Sequence, residues 1–233
     1  MANPNKPNLK RIDSSIHEFD TVQDAVAAFS NGEFVIVLDD TSRENEGDMI
    51  IASEHCTAEK MAFLIRFSSG YVCTAIPAER ADTLALPSMV QNNKDPLQTA
   101  YTVSTDAVVE GMTTGVSAHD RALTVRLMAE GDATAADFRR PGHVLPLRAV
   151  EGLVRARRGH TEAALELCRL AGKKPAAALC EMVLDGRVVR GKTEFEGAGM
   201  MRRDDCLAFG KEWGIRVCTI QDLVEYVEEQ EGL

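Results

Sequence analysis

Apolar positions along this chain alternate between two rhythms. Val22, Ala25, Val26 and Phe29 recur at helical spacing, with Thr21 as N-cap and Gly32 as stop. Glu33 to Leu38 is then a near-continuous apolar run that predicts a buried strand, and Asp48 to Ser53 predicts another. The pattern repeats. Ala58, Met61, Ala62 and Ile65 predict a helix closed by Gly70, and Tyr71 to Ile76 a strand, after which Pro77 opens a short helix. Thr99 to Thr105 predicts a strand, Ala118, Ala122, Val125 and Met128 a helix, and His143 to Ala149 a short strand. Ala164, Leu167, Cys168 and Ala171 mark a helix opened by Thr161 and closed by Gly172. Ala177 to Leu184 predicts a strand, Leu207 lies in a helix ending near Gly214, Ile215 to Cys218 is a strand, and Ile220, Leu223, Val224 and Val227 form a last helix. Strands and helices that take turns in this way predict an α/β fold: a single layered domain with a mixed central sheet flanked by helices. Residues 1–15 are expected to be a flexible arm and 16–233 a single domain. Asn92 to Leu97, Gly131 to Gly142 and Gly186 to Gly199 read as long loops, the kind that often bind or cover a ligand.

Composition narrows the class. The 233 residues suffice for a sizeable core, and a net charge of -10 argues against nucleic acid or an anionic membrane as partner. No apolar run approaches the roughly 20 residues that span a bilayer, and the Asn-, Pro- and Lys-containing start has no apolar stretch of a secretory signal. Six cysteines without a C-x-x-C pair predict reduced, buried thiols and a cytoplasmic protein.

Chemistry concentrates in a few places. Arg43-Glu44-Asn45-Glu46-Gly47-Asp48 follows Asp39-Asp40 and packs acid between two predicted strands. Close carboxylates repel, and a cation among them relieves that repulsion. The arginine adds a fork suited to phosphate or carboxylate. A solvated acidic turn is the plainer reading of this loop alone. Arg157-Arg158-Gly159-His160-Thr161 leads into a helix. Free N–H groups, the helix dipole and two arginines make a phosphate cradle there, and His160 offers a nitrogen to a metal. A capped helix with a basic turn is the plainer alternative. His143 stands at the mouth of a strand after a long loop, seventeen positions before His160, and Glu181 puts a carboxylate inside an apolar strand, where burial would suit it to acid–base work. Thr113-Thr114-Gly115-Val116-Ser117 is a hydroxyl-rich turn before a helix, with Ser117 as N-cap. A metal-dependent phosphosugar isomerase or phosphatase, or a sugar-phosphate-binding protein without catalysis, could share these features.

Taken in order, Asp39-Asp40 with Arg43 to Asp48, His143 to Ala149, Arg158 to Ala163 and Leu179-Cys180-Glu181 resemble 3,4-dihydroxy-2-butanone 4-phosphate synthases from about residue 17 onward. The resemblance implies a lyase that converts D-ribulose 5-phosphate to 3,4-dihydroxy-2-butanone 4-phosphate and formate for riboflavin biosynthesis. It implies a divalent cation, magnesium with manganese as substitute, and a homodimer with active sites at the interface. Carried over by position, it makes Glu44 and His160 metal ligands. Arg43 and Asp48 touch or position the sugar hydroxyls. Arg157, Arg158, Gly159 and Thr161 bind the phosphate, with Thr114 a further contact, and His143 and Glu181 are catalytic. Some relatives carry a second, cyclohydrolase domain with a cysteine zinc site; no such cysteines occur here, and the monofunctional form is expected. A lid over the site is expected from Gly131 to Gly142 or from the acidic loop.

Overall fold

The computed structural model describes residues 19–232; the expected arm, 1–15, lies outside them. The elements run α1 (Val22–Ser30), β1 (Val35–Leu38), β2 (Gly47–Ala52), α2 (Ala58–Phe67), β3 (Cys73–Pro77), α3 (Ala78–Thr83), β4 (Thr105–Ala107), α4 (Ala118–Ala129), β5 (Phe138–Ala149), α5 (Leu153–Ala156), α6 (His160–Leu170), β6 (Ala177–Glu181), β7 (Val183–Leu184), β8 (Arg187–Val188), β9 (Phe195–Glu196), β10 (Gly199–Met200), α7 (Arg203–Trp213), β11 (Arg216–Thr219) and α8 (Ile220–Glu231). Seven strands form one sheet in the order β11-β1-β2-β6-β3-β5-β4. It is mixed: β1 pairs with β11 and β3 with β5 in parallel, and the other neighbours are antiparallel.

Strand alternation divides the core between the two faces. Ile36, Leu38, Met49, Ile51, Ala178 and Cys180 pack against α2, α4 and α7. Val35, Val37, Ile50, Ala52, Ala177 and Leu179 pack against α1, α6 and α8. Because both faces are covered, β1 and the Met49–Ala52 part of β2 read as unbroken apolar runs instead of alternating ones. Each fully buried Ile, Leu, Met or Phe contributes about 1.5–3 kcal/mol relative to an exposed one. Thr21, Thr57, Ser117 and Thr219 cap their helices by accepting a backbone N–H three residues on, each contributing about 1 kcal/mol.

Four expectations change. Between Thr99 and Thr105 there are only isolated bridges, Tyr101 to Leu147 and Ser88 to Thr102. Thr102 N–H bonds the Pro146 carbonyl, but Pro146 has no N–H to return, so a ladder cannot build there. The stretch Gly131 to Gly142 is not a loop throughout: after a short turn of 3-10 helix, β5 begins at Phe138, so His143 sits inside a twelve-residue strand and not at its mouth. Gly142 reads as the end of that loop in the sequence. In the fold Gly142 lets two strands touch, since a Cβ there would lie 2.1 Å from the Thr105 carbonyl carbon. Gly186 to Gly199 contains the exposed β8–β9 hairpin. The strand expected over Ala177 to Leu184 is broken at Met182 into β6 and β7.

Candidate active site

Asp39 builds the acidic loop. It is buried, and its Oδ1 accepts the Glu46 N–H at 2.9 Å while Oδ2 accepts the Glu44 N–H at 2.9 Å and Arg43 Nη1 at 2.8 Å. A carboxylate bonded in this way shapes the chain around itself. Asn45 takes the left-handed conformation (φ 55°), which Asn tolerates better than most residues. From the far side Arg202 donates to the carbonyls of Glu44, at 2.8 Å, and Asn45, at 2.5 Å. The outcome is a braced loop that presents Arg43 and Glu44, side by side and in contact, to a cavity.

Two more elements close on that cavity. In β2 and β6 the register sets Asp48 opposite Glu181. Both fall on the α6 face by alternation, since Ile50 and Leu179, two residues away, pack there. The first turn of α6 follows Gly159, which offers no side-chain cap. Its leading N–H groups are therefore free of a capping side chain and suit an anion. Arg43, Glu44, Asp48, Arg157, His160, Thr161 and Glu181 all line this one cavity, together with Cys73, Thr99, Tyr101, Leu147, Leu179 and Cys180.

The polar centre of the cavity is strained electrostatically. His160 Nδ1 lies 3.4 Å from Glu44 Oε2 and 3.7 Å from Asp48 Oδ1. Burial opposes a charge on His160, but Asp48, Glu44 and Asp39 outweigh it and raise its pKa to about 9. The bond from His160, aided by Arg43, holds Glu44 down to about 2. Asp48 is pushed up to about 7, chiefly by burial, and further by Glu181, Glu44 and Glu46. Asp48 Oδ1 and His160 Nε2 are buried without a hydrogen-bond partner. Such orphaned atoms are costly, and they mark where a further group would bond.

A divalent cation fits this arrangement. Asp39, Glu44 and His160 bring ligand atoms within 4.8 Å of one another. The Asp39 oxygens are already bonded to backbone and Arg43, which leaves Glu44 and His160 as the available carboxylate and imidazole. Arg157 lies at the rim: Nη1 meets Glu162 at 2.5 Å, and Nη2 donates to the Leu97 carbonyl at 3.1 Å and Thr99 Oγ1 at 3.3 Å. Gly159 gives this guanidinium its room, because a Cβ there would stand 2.2 Å from Arg157 Nη1. Burial pushes the Cys73 thiol far up, so it is a wall residue and not a nucleophile.

Four residues expected at the site do not line the cavity. Arg158 turns to Gln221 of α8, at 2.7 Å, and Gly159 acts only through the space it leaves. His143 and Thr114 lie elsewhere, both exposed, near the Thr113–Gly115 turn. Sequence reasoning missed Tyr101 and Thr99, hidden in a stretch read as strand, and Glu162, whose buried carboxylate holds Arg157. It registered Asp39 only as one more acid, although an aspartate just before a tight loop is a recognisable organiser of backbone N–H groups.

Known proteins agree with this picture. A profile of the 3,4-dihydroxy-2-butanone 4-phosphate synthase family matches residues 23–226. The chain is 58% identical to the 3,4-dihydroxy-2-butanone 4-phosphate synthase of Pyricularia oryzae over 214 residues, 92% of each chain. It is 53% identical to that of Candida albicans, across 91% of this chain and 98% of the relative. A 3,4-dihydroxy-2-butanone 4-phosphate synthase crystallised with two magnesium ions superposes with a TM-score of 0.90 at 57% identity, covering 92% of this chain and 99% of the other. Shared sequence and shared fold over the same nine-tenths of the chain lead to one conclusion: the chain belongs to the 3,4-dihydroxy-2-butanone 4-phosphate synthase family.

Proposed function

We propose that residues 16–233 act as one catalytic unit that converts D-ribulose 5-phosphate to 3,4-dihydroxy-2-butanone 4-phosphate and formate, the four-carbon step toward riboflavin. The observation that carries this reading is the convergence of Glu44, Asp48, Glu181 and His160 on one cavity with Arg157 and the start of α6 at its rim. Glu44 and His160 hold a divalent cation, magnesium with manganese as substitute. When bound, the cation supplies Lewis acidity to the sugar's carbonyl and hydroxyl oxygens.

The chain's own groups do the rest. The free N–H groups of α6, Thr161 and Arg157 bind the phosphate and fix the sugar's direction; Arg158 is kept as a more distant source of positive field. Arg43 and Asp48 orient the hydroxyls. Removing the proton beside the ketone, expelling water and releasing formate all require proton transfers, which Glu181 serves from the cavity wall and His143 from a second copy of the chain. Such transfers contribute about 10²–10⁴-fold each. Apolar Leu147 and Leu179 help keep bulk water from the reactive intermediates.

His143 and Thr114 complete the site from a second copy of the chain. Their exposure, and their place outside the cavity, support a homodimer with active sites at the interface. Six buried free thiols fit a reducing cytoplasm, and no helix among the described residues is long and apolar enough to cross a membrane. The test is incubation with ribulose 5-phosphate and magnesium, with and without chelator, while formate is measured. Formate release that stops with chelator is expected; its absence would overturn the reading.

A further inference from the structure

Asp106 in β4 is 1% exposed and does not line the cavity. Both of its oxygens are spent on one histidine. Oδ1 accepts the backbone N–H of His143 at 2.8 Å, and Oδ2 lies 2.9 Å from His143 Nδ1. Arg139 Nη2 adds a third donor, 3.3 Å from Oδ2. An ionised carboxylate can only accept, so the ring proton sits on Nδ1 and the lone pair of the neutral ring on Nε2.

The surroundings are built for this contact. The β4–β5 register shifts between Thr105 and Asp106, which turns the Asp106 side chain toward His143. Gly142 permits the strands to close, since a Cβ there would lie 2.3 Å from Asp106 N. On the other side Gly115 (φ +103°) passes so near that a Cβ would stand 2.1 Å from Asp106 Oδ2 and 2.6 Å from His143 Nδ1. Two glycines therefore clear space around one carboxylate–imidazole pair. The His143 side chain is still 43% exposed, so the ring is anchored at Nδ1 and remains reachable from solvent.

We propose that Asp106 is the positioning residue of His143: it fixes the ring's orientation and the tautomer whose Nε2 is free to take a proton from the substrate and return it. This rests on the reading of His143 as a catalytic group. In the step, Nε2 bonds the proton and the substrate keeps the electron pair. Asp106 stays ionised throughout and steadies the imidazolium through Nδ1–H. The same proton later leaves Nε2 for the product side. The Thr113–Gly115 turn, packed on the pair, ties Thr114 to the same device.

The test uses the full chain. Nitrogen-15 NMR of labelled histidine in the wild type should show His143 protonated on Nδ1 and bare on Nε2 when the ring is neutral. In D106N the proton should move to Nε2, because the amide can turn its NH₂ toward Nδ1. The kcat should then fall by about 10²-fold or more while the KM for ribulose 5-phosphate changes by less than about threefold. A wild-type ring protonated on Nε2 overturns the proposal even if D106N does not fold. So does a D106N enzyme of near-normal kcat alongside an inactive H143A. A fully active H143A would instead remove His143 from catalysis, and the role of Asp106 with it.

Discussion

Asp48 and Glu181 are direct partners across the antiparallel β2–β6 pair, two carboxylates side by side on the face that α6 covers. Like charges so placed are destabilising, and Asp48 has in addition a buried oxygen with no partner. The arrangement sacrifices stability to keep two carboxylates on the wall of one cavity. D48N should therefore raise the stability of the metal-free protein by about 1 kcal/mol, a rise of roughly 2–4 °C in Tm for a chain of this size. Activity should be lost in the same variant. Thermal denaturation in chelator checks the first effect and formate release the second.

Glu44 reaches the cavity on a loop that Asp39 and Arg202 already hold in shape, so its carboxylate can be neutralised without loss of the fold. Magnesium should raise the Tm of the wild type, since a ligand at about 100 times its Kd contributes about 2.7 kcal/mol. E44Q should show the wild-type fold by circular dichroism and little or no magnesium-dependent gain. An undiminished gain would remove Glu44 from the metal shell.

Arg157 and Gly159 form one spatial unit. R157A should raise the KM for ribulose 5-phosphate by about 10-fold or more, the equivalent of one charge-assisted bond. G159A should do the same without removing the charge, because its methyl occupies the space of the guanidinium. Steady-state kinetics separate the two from a folding defect if kcat at saturation is largely kept.

Asp120 organises the turn that carries Thr114. It accepts from the Thr113 hydroxyl, the Gly115 N–H at 2.9 Å and the Thr113 N–H at 3.2 Å. The Thr113 hydroxyl bond is foremost in holding its carboxyl far below the usual range. A group whose folded pKa is lowered contributes stability above its unfolded value, near 3.8, and loses it as pH falls. Amide exchange over 111–117 should therefore accelerate below about pH 4 ahead of the core, and D120N should show the fast exchange already at neutral pH. A turn as protected in D120N as in the wild type would contradict this role.

How much of this was legible depends on what each residue answers to. Val35 to Leu38 and Met49 to Ile51 are read correctly as strands because burial on both faces leaves a continuous apolar signature. Thr21 and Ser117 are read correctly as caps because capping is a local bond. Residues 99–105 mislead because the limit on pairing comes from Pro146, on another strand and some forty positions away. Gly142 misleads as a loop end because its lack of a side chain serves close strand packing instead.

The site divides along the same line. Glu44, Asp48, His160 and Glu181 could be named from the chain because their types carry the chemistry and their order matches the family; Tyr101 and Thr99 reach the cavity through an irregular segment that no periodicity describes. Arg158 was drawn in by its neighbour Arg157, yet one residue of chain turns it toward α8. Asp106 carries no local signal at all. Its meaning exists only once β4 lies against β5.

The order of the sheet has a consequence for biogenesis. β6 is inserted between β2 and β3, although more than a hundred residues of chain separate it from β2. A nascent chain can thus lay β1 against β2 early, but it cannot seat Glu181 beside Asp48 until the middle strand arrives, and closing so long a loop is slow. A chain made only as far as α6 already carries Glu44, Arg157 and His160, but it lacks Glu181 and the strand that sets it beside Asp48. Competence arrives in one stroke, with the last strand to enter the centre.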